Sequence, residues 1–232
     1  ALGYTARRGG AQYLVEDLHQ MAKEMKKRFP GTPLVLYGHS MGSFAARAYL
    51  TRYADELAGA LISGTAGAEA PTGLALKLTH LIAKAKGDTH RSKLLTALAF
   101  GSYNKKVEHP RTPYDWLTRD DAVVDAYMAD PLCGFAPTPA LANAMMNGLL
   151  YIQNTSNLKR MNRELPVHFI AGAEDPVGAY GDGVRKAAQM FIRSGMKHVS
   201  LKLYPGCRHE ILNEINREEV YGDIVKWIAE NT

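Results

Sequence analysis

The pentapeptide Gly38-His39-Ser40-Met41-Gly42 fits G-x-S-x-G, a pattern that seats a serine hydroxyl on a sharp turn between a strand and a helix. The surrounding residues have the required form. Leu34-Val35-Leu36-Tyr37 is a short continuous apolar run, as in a strand buried on both faces of a parallel sheet, and Phe44, Ala45, Ala48, Tyr49 and Tyr53 then restart a helical period. A serine hydroxyl is a poor nucleophile at neutral pH, so it needs a base to take its proton and an acid to orient that base. The helix after the turn aims free N–H groups, that of Met41 among them, at an oxygen that becomes negative when an acyl carbonyl is attacked. Both flanking glycines are read as steric needs, small residues that let strand and helix approach closely.

Where this motif sits in a sheet of parallel strands, the acid follows a later strand and the histidine follows the last one. Val167 to Ala171 reads as such a strand, and Gly172-Ala173-Glu174-Asp175-Pro176-Val177-Gly178 places an acid at its C-terminal end. Asp175 is the expected acid, because a residue directly before proline is held in an extended conformation; its neighbour Glu174 could substitute. Val199 to Leu203 reads as the last strand, and Tyr204-Pro205-Gly206-Cys207-Arg208-His209-Glu210 then presents His209 as the base. The other seven histidines are worse placed, and His39, inside the motif, reads as packing support.

These residues need a scaffold of alternating strands and helices. Leu14, Leu18, Met21, Ala22, Met25 and Phe29 recur at steps of three and four until Pro30-Gly31, which gives an amphipathic helix before the first strand. Leu57 to Ser63 gives a further buried strand; Val184, Ala187, Ala188, Phe191 and Ile192 mark one later helix, and Val220, Tyr221, Ile224, Val225 and Ile228 mark the last. The expected fold is therefore α/β, a mostly parallel sheet with helices on both faces. From Ala68 to about Leu165 the alternation stops and no β run is convincing, so 68–165 reads as a helical cap inserted between core segments 1–67 and 166–232.

Composition bounds the rest. With 232 residues, 46% hydrophobic and 22% charged, the chain is long enough for one α/β domain and too apolar for disorder. Only Cys133 and Cys207 are present, in no CxxC or CxxH pattern, so neither a disulfide framework nor a metal site is expected, and a reducing, cytoplasmic location fits. The charge-free run from Pro131 to Leu158 is broken by prolines and by amides such as Asn143 and Asn147, which excludes it as a bilayer-spanning helix. The excess charge lies in the cap: Lys77 to Arg111 holds eight Lys or Arg and two acids, against a net +5 for the whole chain. Leu74, Leu78, Leu81, Ile82 and Ala85 line one face of a cap helix, with Lys77, His80 and Lys84 on another, so this helix can lie along an anionic lipid surface. Leu141, Met145 and Leu149 lie on a nearly all-apolar helix suited to an acyl chain. No aromatic-basic platform or recognised motif supports nucleic-acid binding.

Together, the Gly38–Gly42 pentapeptide, Asp130-Pro131-Leu132-Cys133-Gly134-Phe135, the Gly172–Gly178 segment and the Tyr204–Glu210 segment resemble bacterial α/β-hydrolases of the lysophospholipase and monoacylglycerol-lipase-like group, of the serine aminopeptidase S33 type. The resemblance runs from about Leu14 to the C-terminus. It implies Ser40 as nucleophile, Asp175 as acid, His209 as base and the Met41 N–H as oxyanion donor, with no cofactor and a single-chain lipid ester as substrate. A peptidase or amidase of the same fold, or a binding module without catalysis, are the alternatives. Members of this group begin with further strands, and a loop after one of them supplies a second oxyanion N–H. No such segment precedes the first helix here, so the chain, which opens at Ala1, is expected to be a piece of a longer reading frame with one sheet edge uncovered.

Overall fold

Four short apolar runs form the sheet of the computed structural model, which describes residues 2–67 and 72–232. They are β1 (Val35–His39), β2 (Gly59–Ser63), β3 (Val167–Gly172) and β4 (Val199–Tyr204), all parallel and in spatial order β1-β2-β3-β4. The register aligns Val35 with Gly59, Ala60 with Val167, and Val167 with Val199. The carboxyl ends of all four strands thus lie along one rim, where ligands of open α/β sheets bind.

Alternation along the strands sorts the core into layers. Ala60 and Ile62 of β2, with Val167, Phe169 and Ala171 of β3, pack with Ala46 and Leu50 of α2 (Met41–Tyr53) and Val184, Ala187 and Phe191 of α8 (Asp182–Arg193). Leu61 and Ile170 point the other way, into a cluster with Tyr204, Ile211 and Val220, the last from α9 (Arg217–Asn231). Helices therefore cover both faces, as the pattern predicts. The two inner strands are buried along their whole length, whereas β1 is only half-buried. The expectation of two-sided burial for the first strand is corrected here: β1 is the edge of the sheet among the described residues, so it lacks a neighbour on one side.

The α1 helix (Gly10–Arg28) starts four residues before the first apolar repeat and ends at Pro30-Gly31. Between β2 and β3 the described residues hold helices and turns and no strand of the sheet: α3 (Thr72–Lys86), α4 (Lys93–Phe100), α5 (Asp121–Ala129), α6 (Pro139–Gln153) and the single turn α7 (Thr155–Leu158). Residues 68–71, where the inserted segment was expected to begin, lie outside the described residues. The insertion is tied into the core through α6, whose Leu149 and Ile152 share a buried cluster with Val15 of α1 and Phe44 and Tyr49 of α2.

The β1–α2 turn depends on one glycine. A Cβ on Gly38 would stand 2.7 Å from both the Cβ of Ala46 and the carbonyl oxygen of Gly42, closer than real Cβ contacts allow. The second motif glycine differs from expectation: a Cβ on Gly42 would meet nothing within 4 Å, because it points into open space at the first turn of α2. Gly38→Ala should lower the urea midpoint by an equivalent of about 1–3 kcal/mol. Gly42→Ala, at a helical position with room, should leave it unchanged or raise it by up to about 1 kcal/mol. Equal losses in the two variants would contradict this account of the turn.

Candidate active site

Ser40 bridges β1 and α2 with φ 53° and ψ −122°, a left-handed backbone that a serine adopts only when the surroundings enforce it. Enforcement comes from both sides of the turn: the Ser40 N–H donates to the carbonyl of Ser63 on β2 (3.0 Å), and its own carbonyl accepts from the Ser43 N–H (2.9 Å) and the Ser43 hydroxyl (2.5 Å). Met41 is the first residue of α2, so its N–H has no intrahelical acceptor and sits at the positive end of the helix.

Asp175 and His209 meet. The His209 Nδ1 lies 3.0 Å from Asp175 Oδ2, and both side chains are almost wholly out of solvent. The other carboxylate oxygen accepts the N–H of Val177 at 2.8 Å, so both oxygens are engaged. Glu174, the sequence alternative, is exposed. The two loops are knitted together by backbone bonds, from Ala173 N–H to the Tyr204 carbonyl and from Glu174 N–H to the Cys207 carbonyl, each 2.9 Å. Ser40 Oγ has no hydrogen-bond partner among the described residues. The histidine reaches the turn through its neighbour: the His209 ring stands 4.6 Å, centroid to centroid, from that of His39. Loose nucleophile–base contacts are common in unliganded sites and tighten around substrate.

His39 is held neutral. Its Nδ1 lies 3.2 Å from Ser63 Oγ, and burial, with the neighbouring His209 adding to it, pushes its pKa down to about 3. It packs as the sequence suggests.

Sequence reasoning missed the group that roofs His209. Trp116, 6% exposed, lies 5.2 Å from the His209 ring, with Tyr103 edge-on to it at 4.8 Å and Phe100 stacked at 6.2 Å. Burial, then the charge of Asp175, raises the Tyr103 hydroxyl to about 12, so it stays a neutral phenol. Also missed was the clamp on the base loop. Glu210 N–H donates to the Leu117 carbonyl at 2.7 Å, and the Arg208 guanidinium donates to the carbonyls of Asp115 and Thr118. Fully buried Glu214 accepts from Arg119 Nε at 2.8 Å and from the N–H groups of Arg119, Arg208 and Ile215. Arg119 and Glu214 are 95 residues apart, so nothing local in the sequence signals this pair.

A cavity of about 520 Å³ opens beside the turn, lined by Met41, Phe44, Ala45 and Ala48 of α2, by residues 6–15, and by Ala140, Ala144, Met145 and Tyr151 of α6. Of the three residues expected to face an acyl chain, Met145 lines this cavity. Leu149 is instead buried in the α1–α2–α6 cluster, and Leu141 is not part of the lining. The α6 face carrying Leu149 is taken up by packing on α2, which leaves only the adjacent face for the cavity.

Strand order, the strained serine turn and the acid–histidine pair define an α/β-hydrolase. The serine aminopeptidase S33 family matches residues 3–216, and the chain belongs to it. Over 230 residues it is 26% identical to the monoacylglycerol lipase of Mycolicibacterium smegmatis, covering 96% of this chain and 74% of that enzyme. It is 27% identical to the monoglyceride lipase of Rattus norvegicus, covering 88% of this chain and 64% of the rat protein, so the chain spans about two thirds of that relative. Among solved structures, a thermostable carboxyl esterase from Bacillus coagulans superposes with a TM-score of 0.86 at 30% identity, over 94% of this chain and 71% of that one.

The state of His39 has a measurable consequence. Below pH 6.5 the unfolded chain takes up a proton at this residue that the folded chain refuses until about pH 3. Stability therefore falls as pH drops through that window, with a slope from this group of up to about 1.4 kcal/mol per pH unit. In His39→Gln, urea unfolding measured from pH 6.5 to 4 should show a slope reduced by about one proton. An unchanged slope contradicts the buried neutral imidazole.

Proposed function

We propose that the chain is a serine hydrolase of carboxylic esters whose substrates are single-chain lipids, monoacylglycerol or lysophospholipid. The ester-hydrolase class rests on family membership and on relatives that are lipases and esterases. The observation that carries the mechanism is the buried hydrogen bond between Asp175 and His209 on the rim that also holds the strained Ser40. Ser40 Oγ attacks the ester carbonyl carbon and passes its proton to His209 Nε2, while Asp175 holds the ring through Nδ1. The carbonyl oxygen, now negative, faces the Met41 N–H. Collapse of the tetrahedral intermediate breaks the ester C–O bond, and the imidazolium protonates the leaving alcohol. Water then repeats the sequence on the acyl-enzyme, releasing the carboxylic acid and returning the proton to Ser40. No step calls for a cofactor. The apolar floor around Met41, Phe44, Ala45 and Met145 suits an acyl chain next to the reacting carbon. The described part of the 68–165 insertion is the cap in this reading, and the unpaired Cys133 and Cys207 agree with a reducing, cytoplasmic compartment.

A fluorophosphonate probe should label Ser40. Ser40→Ala should abolish labelling and lower hydrolysis of a short-chain soluble ester by about 10⁴-fold or more, and Asp175→Asn should cost about 10⁴-fold in kcat. A folded protein that the probe leaves unmodified would falsify the mechanism. Release of amines from amide substrates at the rate of esters would shift the reading to a peptidase.

The cap supports a second element, docking to an anionic bilayer. In α3 the inward side is Ala75, Leu76, Thr79 and Ile82, so Leu74 and Leu81 (73% and 65% exposed) face outward with Lys77 and Lys84. This differs from the expected division into an apolar and a cationic face: leucines and lysines share one outward stripe, because α3 packs on α6 along its other side. The α4 helix adds exposed Leu94, Leu98 and Phe100 beside Lys93. Positive charge next to exposed leucines complements acidic headgroups over an acyl layer. The protein should co-sediment with phosphatidylglycerol vesicles, less with phosphatidylcholine, and less in high salt. Leu94→Ser/Leu98→Ser and Lys77→Glu/Lys84→Glu should each weaken binding about tenfold or more without changing hydrolysis of a soluble ester. Salt-independent binding, or a dimer that dissociates in the leucine variant, rules against the bilayer.

A further inference from the structure

Arg47 lies two helical turns beyond Ser40 on α2 and is 1% exposed, one of the bulkiest side chains fully enclosed by the fold. Its guanidinium has no carboxylate partner among the described residues. Nη1 donates to Thr65 Oγ1 at 3.2 Å and to the Ala66 carbonyl at 3.0 Å, Nε and Nη2 have no hydrogen-bond partner, and the group lies 5.8 Å from the centre of the Phe191 ring. Burial lowers its pKa only to about 10, so the group is still a cation at neutral pH. For stability alone this is a poor choice of residue, since an apolar side chain of similar volume avoids both the unpaired charge and the orphaned donors. Among the described residues its hydrogen bonds are the two to the loop that follows β2.

That loop is wedged against the reactive groups. Gly64, at φ +56°, is so close to both imidazoles that a Cβ there would lie 3.0 Å from His39 Cε1 and 3.1 Å from His209 Cε1. On the other side, the Thr65 carbonyl would touch a Cβ on Gly178 at 3.4 Å, in the loop that carries Asp175. Residues 64–66 therefore form the wall on which the His209 ring rests, and Arg47 holds that wall from behind.

We propose that Arg47 is a positioning residue: by bonding Thr65 and Ala66 it fixes Gly64 against the His209 imidazole and so sets the ring's alignment toward Ser40. The proposal rests on the Ser40 mechanism for its catalytic meaning but not for its geometry. In Arg47→Met the urea midpoint should stay the same or rise, while kcat on a soluble ester falls about 10–100-fold with KM nearly constant. Arg47→Lys, which keeps the charge and reaches at most one acceptor, should recover part of the loss. Thr65→Val removes one acceptor and should lower kcat by a smaller factor; combined with Arg47→Met it should add nothing further. The proton on His209 Nδ1, seen downfield in NMR spectra, should shift or broaden in Arg47→Met and Thr65→Val.

Unchanged kcat and an unchanged Nδ1 proton in folded Arg47→Met overturn the proposal, as does activity lost only in proportion to unfolded protein. Should Arg47→Met fail to fold, Thr65→Val decides by the same two readouts. The Nδ1 proton follows the ring whether or not Ser40 is the nucleophile, and Ser40→Ala tests the nucleophile by itself, so the two readings fail separately.

Discussion

A strand can pass its chain to a helix within a single residue only if the two backbones nearly touch, and at β1–α2 the room for that contact is the hydrogen atom of Gly38. Everything at the rim follows from this approach. It forces Ser40 into a left-handed conformation, lifts the hydroxyl off the sheet and leaves the N–H of Met41 unbonded at the start of a 13-residue helix. The strain, of order 1–3 kcal/mol for a non-glycine residue, is held by the bond from the Ser40 N–H to Ser63 and by the burial of α2 against the sheet. A looser turn would relax serine to an ordinary conformation and lower the hydroxyl toward the strand.

Asp175 and His209 reach the rim by topology, and bonds from residues 115–119 add to the placement of the His209 loop. Parallel strands deliver Asp175 and His209 to neighbouring loops, since β3 and β4 are adjacent. Adjacency alone sets loops within reach, not a ring within 3.0 Å of a carboxylate. The remaining precision is supplied by residues 115–119, which bond the backbone of the base loop, and by Glu214, which collects four donors from both sides of that contact. The residues between β2 and β3 thus include both a part bonded to the His209 loop and a part with exposed leucines. The 115–119 part bonds the loop that carries His209, whereas α3, packed on α6 along one side, and α4 turn exposed leucines outward.

What the sequence made legible was whatever is encoded locally. Periodicity located the strands within two residues, the G-x-S-x-G turn announced itself by its flanks, and the chain order tied to that motif singled out Asp175 and His209, which the structure brings within hydrogen-bond distance. The composition of β1 alone suggested burial on both faces, because a buried run and an edge run look alike; the uncovered edge was expected from the family resemblance instead. The role of Gly42 was misread for a similar reason: a motif states which residue is present, not whether space around it is short. Trp116, Tyr103 and the Arg119–Glu214 pair were invisible because each joins segments about 90 residues apart, or stands over a group whose position was not yet known. Leu149 was misplaced because an all-apolar helix does not say which of its faces meets the core.

Among the described residues, buried polar atoms without partners belong to Thr5, His19, Arg47, Trp116 and Gln153, and two of these side chains stand in the surroundings of His209. Arg47 Nε and Nη2 lie behind the loop that backs His209, and Trp116 Nε1, also buried and unbonded, belongs to the ring that covers the same imidazole from the cap. Each is a cost that a purely structural interior would remove by substitution with an apolar side chain. Their placement around one histidine fits the rule that folds break local economy where geometry is under a second demand. The demand here is that an imidazole whose hydrogen-bond anchor among the described residues is Asp175 keep a fixed tilt. The tilted Trp116 ring and the close backbone of Gly64 both crowd the imidazole, which restricts rotation about the Cβ–Cγ bond without a hydrogen bond to the ring. A second hydrogen bond to the ring would fix the same tilt but would consume Nε2, the nitrogen that takes the serine proton in the mechanism proposed above.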